Sequence, residues 1–186
     1  MPRIDDIEDT PNPNAKKFIL REPLTWGMAR SYENAEQAKD DPLAAALFAI
    51  PSVTNVFYVD RWITITQDGG ADWRTLSRLV AEPIRAAASA DEHSARVTAA
   101  AAPALADLTP EDQERLDRIN ELLDERIRPY LQGDGGDLYV IGLEGDRLTV
   151  HYQGACGSCP SSISGTLAGI ESLVRQIEPD IEVVAI

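Results

Sequence analysis

The chain is poor in the residues that staple, span or grip nucleic acid. Among its 186 residues there are only two cysteines, Cys156 and Cys159. A bridge across two intervening residues closes too small a loop to remove much unfolded-state entropy, so a disulfide scaffold is excluded. Basic residues are also scarce: 17 Lys and Arg face 31 Asp and Glu, giving a formal charge of −14 and a sequence pI of about 4.4. Phosphate backbones are bound by clustered Lys and Arg, so nucleic acid is not an expected partner, and a polybasic membrane contact is not expected either. No run approaches the roughly 20 apolar residues of a membrane-spanning helix. The acidic start, Met1 to Thr10, has neither the apolar stretch of a secretory signal nor the arginine-rich character of a transit peptide. The expected setting is therefore cytoplasmic and reducing, or the mitochondrial matrix if the chain is the trimmed form of an imported precursor. In such a compartment a C-x-x-C pair reads as metal-binding or redox-active.

What remains is the composition of a globular protein, 44% hydrophobic and 26% charged. The stretch Ser89 to Asp107, SADEHSARVTAAAAPALAD, carries no periodicity that forms a buried face. It reads as a linker between a domain over 1–88 and another over 108–186. As a coil it would span roughly 24 Å r.m.s., and as an alanine helix broken at Pro103 it would reach less far. The acidity is uneven. Residues 1–88 hold ten basic and thirteen acidic residues, net −3, whereas 108–186 hold six and fifteen, net −9.

The expected class is α+β, two small α/β domains. In the first, Lys16 to Arg21 reads as a strand after the turn-rich Thr10-Pro-Asn-Pro-Asn14. Asp41-Pro42 offers an N-cap and a first-turn proline for a helix with Leu43, Leu47 and Ile50 on one face. Val53 to Val59 and Trp62 to Thr66 form a hairpin pattern around Asp60-Arg61. Asp72 caps a helix bearing Trp73, Leu76, Val80 and Ile84, with Pro83 expected to kink or weaken its last turn. The aromatic residues here sit at core-like spacing and read as packing.

In the second domain Thr109-Pro110 starts a helix with an apolar stripe of Leu116, Ile119, Leu123 and Ile127, ending before Pro129. The turn Gly133-Asp-Gly-Gly136 lacks the Lys-Ser/Thr of a phosphate loop and leads into a strand, so it reads as a tight turn. Two strands follow, Asp137 to Leu143 and Arg147 to Gln153, joined at Gly145-Asp146. Next comes Gly154-Ala-Cys156-Gly-Ser-Cys159-Pro160, with Pro160 at the start of a helix whose buried side would be Ile163, Leu167, Ile170, Val174 and Ile177. Ile181 to Ile186 is a last short strand. The C-x-x-C loop thus falls at a strand-to-helix turn of a short β-sheet packed on helices. Cys159 lies beside the N-cap, where unpaired N–H groups and a partial positive charge lower thiol pKa. The expectation is two adjacent thiolates on an exposed loop.

Four chemistries compete for that pair. Two inert buried thiols fit poorly with flanking glycines. A structural zinc site needs four ligands, and beyond the cysteines the chain has only His151 and the linker residue His93, so such a site would have to be shared between subunits or recruit a poorly placed histidine. A thioredoxin-like thiol–disulfide oxidoreductase is the strongest rival, since C-x-x-C at a helix N-terminus is its signature. Against it, the cysteines are expected to follow a hairpin and not the first strand of a βαβ unit. The fourth is an iron–sulfur cluster, which takes four thiolates. Two per chain become four when two chains meet on a two-fold axis.

The runs DGGDLYV, QGACGSCPSS, TLAGIESLV and Glu178-Pro-Asp-Ile181 resemble the C-terminal NifU-like domain of Nfu-type iron–sulfur proteins. TPNPNAKKFIL, DPLAAALFAI, the hairpin and the Asp72-Trp73 helix resemble the family's N-terminal domain. The departures are the long alanine-rich linker and Asp180-Ile181 where Glu-Val is usual. The resemblance implies a non-enzymatic carrier or scaffold that holds a 4Fe–4S cluster between two subunits, with 2Fe–2S also conceivable. It implies Cys156 and Cys159 as the ligands and a homodimer formed through the C-x-x-C loop. It further implies upstream cluster-assembly proteins as donors, apo iron–sulfur proteins as recipients, and an N-terminal domain for partner recognition. His151 reads as an ordinary solvent-facing strand residue, with a role as supporting donor or transient ligand as the alternative.

Overall fold

The computed structural model describes residues 2–90, 109–157 and 160–186, with side chains throughout except at 160–164. The chain is α+β and divides into two compact units, Met1–Ala100 and Ala101–Ile186.

The first unit is built on a five-stranded antiparallel sheet of order β1-β2-β5-β4-β3. Its strands are β1 (Ile4–Asp9), β2 (Ala15–Leu20), β3 (Arg30–Tyr32), β4 (Val53–Val59) and β5 (Trp62–Gln67). Two helices, α1 (Pro42–Phe48) and α2 (Trp73–Ala86), pack on one face. Alternation decides that face: Phe18, Val56, Tyr58, Ile63 and Ile65 point to the helices and are all fully buried. The β4–β5 hairpin forms as its sequence suggests, with Asp60 in the left-handed region at φ 47°. The caps are where the sequence places them. Asp41 Oδ1 accepts from Ala44 N at 2.9 Å, and Asp72 Oδ2 accepts from Thr75 N at 3.0 Å. Asp41 does more than cap, because its buried carboxylate also accepts from Tyr32 Oη at 2.8 Å and from Tyr58 Oη. Burial, followed by the charge of Asp41, pushes both phenols up, so both remain donors.

Two features depart from expectation. β1, IDDIED, is nearly all exposed and shows no apolar face; it is an edge strand held by the ladder and by cross-strand pairs such as Glu8–Lys17 at 3.5 Å. Pro83 lies in the last turn of α2, where the sequence places it, and the helix ends three residues on at Ala86. Phe18, Phe57 and Tyr58 are core, but Trp26 is 61% exposed.

The second unit contains α3 (Pro110–Arg126), α4 (Arg128–Gly133), β6 (Gly136–Glu144), β7 (Arg147–Gly154), α5 (Pro160–Val174) and β8 (Glu182–Ala185). Thr109 Oγ1 accepts from Asp112 N at 3.1 Å and caps α3. Leu116, Ile119 and Leu123 pack with Leu138, Leu148, Val150, Ile170 and Val174 in one core. β6 pairs antiparallel with β7, and β7 pairs parallel with β8. A parallel pair needs a crossover, which α5 supplies. The loop bearing the cysteines therefore opens a βαβ unit after all; the expectation that it lies outside one is corrected. The reason is that β8 returns beside β7, a long-range pairing with no local signature. Ile177 also departs from its assigned buried stripe: it lies beyond the end of α5 and is 38% exposed.

Arg115 clasps this unit together. Its guanidinium reaches Glu178 at 3.0 Å, Asp146 at 3.2 Å and the Gly145 carbonyl at 2.9 Å, so one α3 side chain holds the hairpin turn and the segment after α5.

Candidate functional site

β7 carries the chain up to Gly154, where φ of +65° turns it out of the strand. The loop is then folded back onto the start of β6. Gly154 pairs with Gly136, and Ala155 N donates to the Gly135 carbonyl at 3.1 Å. Gly157 N donates to the Gly154 carbonyl at 3.2 Å, and α5 opens at Pro160. Pinned this way, Cys156 faces inward. It is 2% exposed and belongs to the core with Tyr152, Ile170 and Val174. The exposed loop expected for both thiolates is thus corrected for Cys156. Cys159 and Ser158 lie outside the described residues, as does His93.

The glycines make this seat possible. A Cβ at Gly136 would stand 2.5 Å from Cys156 Sγ, 2.7 Å from the Gln153 carbonyl oxygen and 2.9 Å from Cys156 Cβ. No side chain fits there. A Cβ at Gly157 would come within 3.0 Å of the Tyr152 carbonyl oxygen. Gly135, at φ +80°, supplies the bend that brings Gly136 under the loop. Between Gly133, the last residue of α4, and Gly136, the first of β6, Asp134 and Gly135 make the turn read from the sequence, and this segment is also the floor of the cysteine site. Sequence reasoning missed that second role. Its one trace was the pair of adjacent glycines, one more than a simple turn requires.

The surroundings fix this floor. Asp137, directly after Gly136, is buried; its Oδ1 accepts from Leu138 N at 2.8 Å and its Oδ2 from Gln132 Nε2 at 3.1 Å. Arg128 donates from Nε to the Leu138 carbonyl at 3.2 Å and stands 3.9 Å from Asp137 Oδ1. These contacts tie α4 to the first residues of β6. Burial pushes the Asp137 carboxyl up, against the pull of the Gln132 and Leu138 hydrogen bonds. Tyr152 is 5% exposed, and burial, followed by the charge of the Cys156 sulfur, pushes its phenol up to about 12. Among the described residues Tyr152 Oη has no hydrogen-bond partner. His151 alternates to the other face of the sheet, where Nδ1 lies 2.9 Å from the Ile186 carbonyl oxygen and the ring packs tilted against Tyr139, centroids 5.4 Å apart. It is not brought to Cys156.

Fold and site together define a two-unit α+β protein whose second unit seats Cys156 on glycine, between the end of β7 and the start of α5. The family described as "Scaffold protein Nfu/NifU N terminal" matches residues 4–91, and the "NifU-like domain" matches residues 119–185. The human "NFU1 iron-sulfur cluster scaffold homolog, mitochondrial" is 36% identical over 183 residues, covering 94% of this chain and 68% of that protein. The Drosophila erecta protein of the same name is 34% identical over 184 residues, covering 94% and 62%. The chain thus spans about three fifths of the length of the Drosophila relatives it matches. A crystal structure of a Staphylococcus aureus protein is similar over 44% of this chain and 96% of its own, at 22% identity and a TM-score of 0.38. The chain belongs to the Nfu/NifU family.

Proposed function

We propose that the protein is an iron–sulfur cluster carrier or scaffold, with Cys156 and Cys159 as the ligands. The observation that carries this is the seat of Cys156: a thiol held on a glycine floor, three residues before a second cysteine, in a chain of a scaffold family. Two thiolates per chain are half of what a 4Fe–4S cluster takes, and two chains on a two-fold axis complete the set. The cluster is cargo. In transfer to an apo-protein, each iron–thiolate bond to the carrier is exchanged for one to a recipient thiolate, and the proton lost by the recipient thiol is taken up by the departing cysteine. No electron is gained or lost, so no catalytic acid, base or nucleophile is required. Because the ligating cysteines must be deprotonated, occupancy falls as pH is lowered. A reducing compartment, cytosol or mitochondrial matrix, keeps both thiols available.

The domain limits proposed for this function are 1–88, a linker over 89–107, and 108–186 for the cluster module. The first domain serves partner recognition, a role supported by Trp26 at 61% and Met28 at 51% exposure on one loop.

The rival, a thiol–disulfide oxidoreductase using the same pair, gains support from the βαβ placement of the loop. The burial of Cys156 bears on both readings alike, since cluster exchange and thiol–disulfide exchange each need the sulfur to be reached; what favours the carrier is the scaffold family to which the chain belongs. Anaerobic reconstitution with iron and sulfide separates the two. The carrier reading expects a brown protein with about four irons per dimer, abolished by Cys156→Ser or Cys159→Ser. A colourless protein that reduces disulfides catalytically would overturn it.

A further inference from the structure

Gly136 is far from Cys156 in sequence and touches its sulfur in space. Three atoms crowd the position a β-carbon would take: Cys156 Sγ at 2.5 Å, the Gln153 carbonyl oxygen at 2.7 Å and Cys156 Cβ at 2.9 Å. They differ in freedom to yield. The Gln153 oxygen belongs to the β6–β7 ladder, and the Cys156 backbone is held by the neighbouring Ala155 N bond to Gly135. The sulfur alone turns about a single bond, between staggered rotamers. An added methyl group therefore drives the thiol out of its seat, and the Gln153 oxygen and Cys156 Cβ, which turning the sulfur does not clear, must give by a shift of the loop against β6. The other glycines show how local this is: Gly133, in the same turn, has nothing within 4 Å of its missing β-carbon.

We infer that Gly136 is a positioning residue for cluster binding, its bare α-carbon holding the Cys156 thiol in the place from which it ligates. The inference rests on the carrier reading above and assigns to a residue outside the C-x-x-C loop control over where the first thiolate stands. Gly136 touches the ligand and not the cargo, so its effect appears at the cysteine before any metal is present.

The test uses the full chain. In a Cys159→Ser background, where Cys156 is the remaining thiol, the rate of alkylation by iodoacetamide is measured with and without Gly136→Ala, with circular dichroism as the check on folding. The expected result is alkylation at least about tenfold faster with Gly136→Ala in a folded chain, and no change with Gly133→Ala. In the chain with both cysteines, Gly136→Ala is expected to at least halve the iron bound on reconstitution. A folded Gly136→Ala chain with unaltered alkylation overturns the inference, and so does faster alkylation with full iron content. If Gly136→Ala alone does not fold, it is combined with Cys156→Ala. Recovery of folding once the sulfur is gone supports the inference, and failure of both chains to fold overturns it, because the Gln153 contact would then dominate. Alkylation needs no iron. Faster alkylation with no iron bound by the unsubstituted chain would sink the carrier reading and leave the seating of the thiol intact.

Discussion

Cys156 and Asp41 show what single residues contribute in the two units, and each acts through what is buried around it. Asp41 closes the first turn of α1 and accepts from two tyrosines at once. Asp41→Ala removes a cap, worth about 1 kcal/mol, and leaves two largely buried hydroxyls without their acceptor, at about 1–3 kcal/mol each. A loss of about 3–7 kcal/mol is expected in urea unfolding. The protein carries its own reporter for this, because Trp26, Trp62 and Trp73 all lie in the first unit. A loss below about 1 kcal/mol would contradict the three-fold role. Asp137 makes the opposite prediction with pH. Its carboxyl is pushed up by burial, so the native state favours the neutral acid. The stability it contributes is therefore present below the unfolded-state value of about 3.9 and is lost as pH rises through the folded value. Asp137→Asn stays neutral throughout. The thermal midpoint of the variant relative to the parent should rise as pH goes from 3 to 7, and a constant or shrinking difference would contradict the burial account.

At the scale of elements, what was legible in the sequence is what is local. Asp41-Pro42, Asp72 and Thr109-Pro110 announce their helices because a cap bonds to an amide only a few residues on. The β4–β5 hairpin is legible because its turn residues lie between two apolar runs. α3 ends before Pro129, as the sequence indicates, and Pro129 itself stands in the first turn of α4, where proline is at home. β1 was not legible, since an acidic edge strand has no apolar face and is defined by its neighbour β2. The return of β8 beside β7 and the contact of Gly136 with Cys156 escaped for the same reason: both join residues distant in sequence. The cysteines themselves were evident, but the inward turn of Cys156 was not, because it depends on the Gly135 carbonyl. Arg115 belongs to this scale too, one side chain tying α3 to the hairpin and to Glu178. Burial alone would lower its pKa; the bonds to Glu178 and Asp146 outweigh that and raise it, so it stays a cation. Arg115→Met should cost the second unit about 2–3 kcal/mol, the scale of lost charged hydrogen bonds. Amide circular dichroism would record it while the tryptophan signal of the first unit holds still. A shift of both signals would mean that the two units do not unfold separately.

The whole molecule divides its work unevenly. The first unit has the larger sheet, all the tryptophans and no cysteine; the second has both cysteines and a net charge of −9 over 108–186. The central claim concerns what the second unit does in two copies. The scarcity of cysteine that first excluded a disulfide scaffold becomes, in this account, the reason for a dimer: each chain holds half a ligand set. Native mass spectrometry of the anaerobically reconstituted protein tests that most directly. The expected species is two chains plus one 4Fe–4S core, which disappears when Cys156 or Cys159 is replaced by serine. A cluster carried by a single chain, or a pair of chains that forms without any cluster and never takes one up, would contradict it.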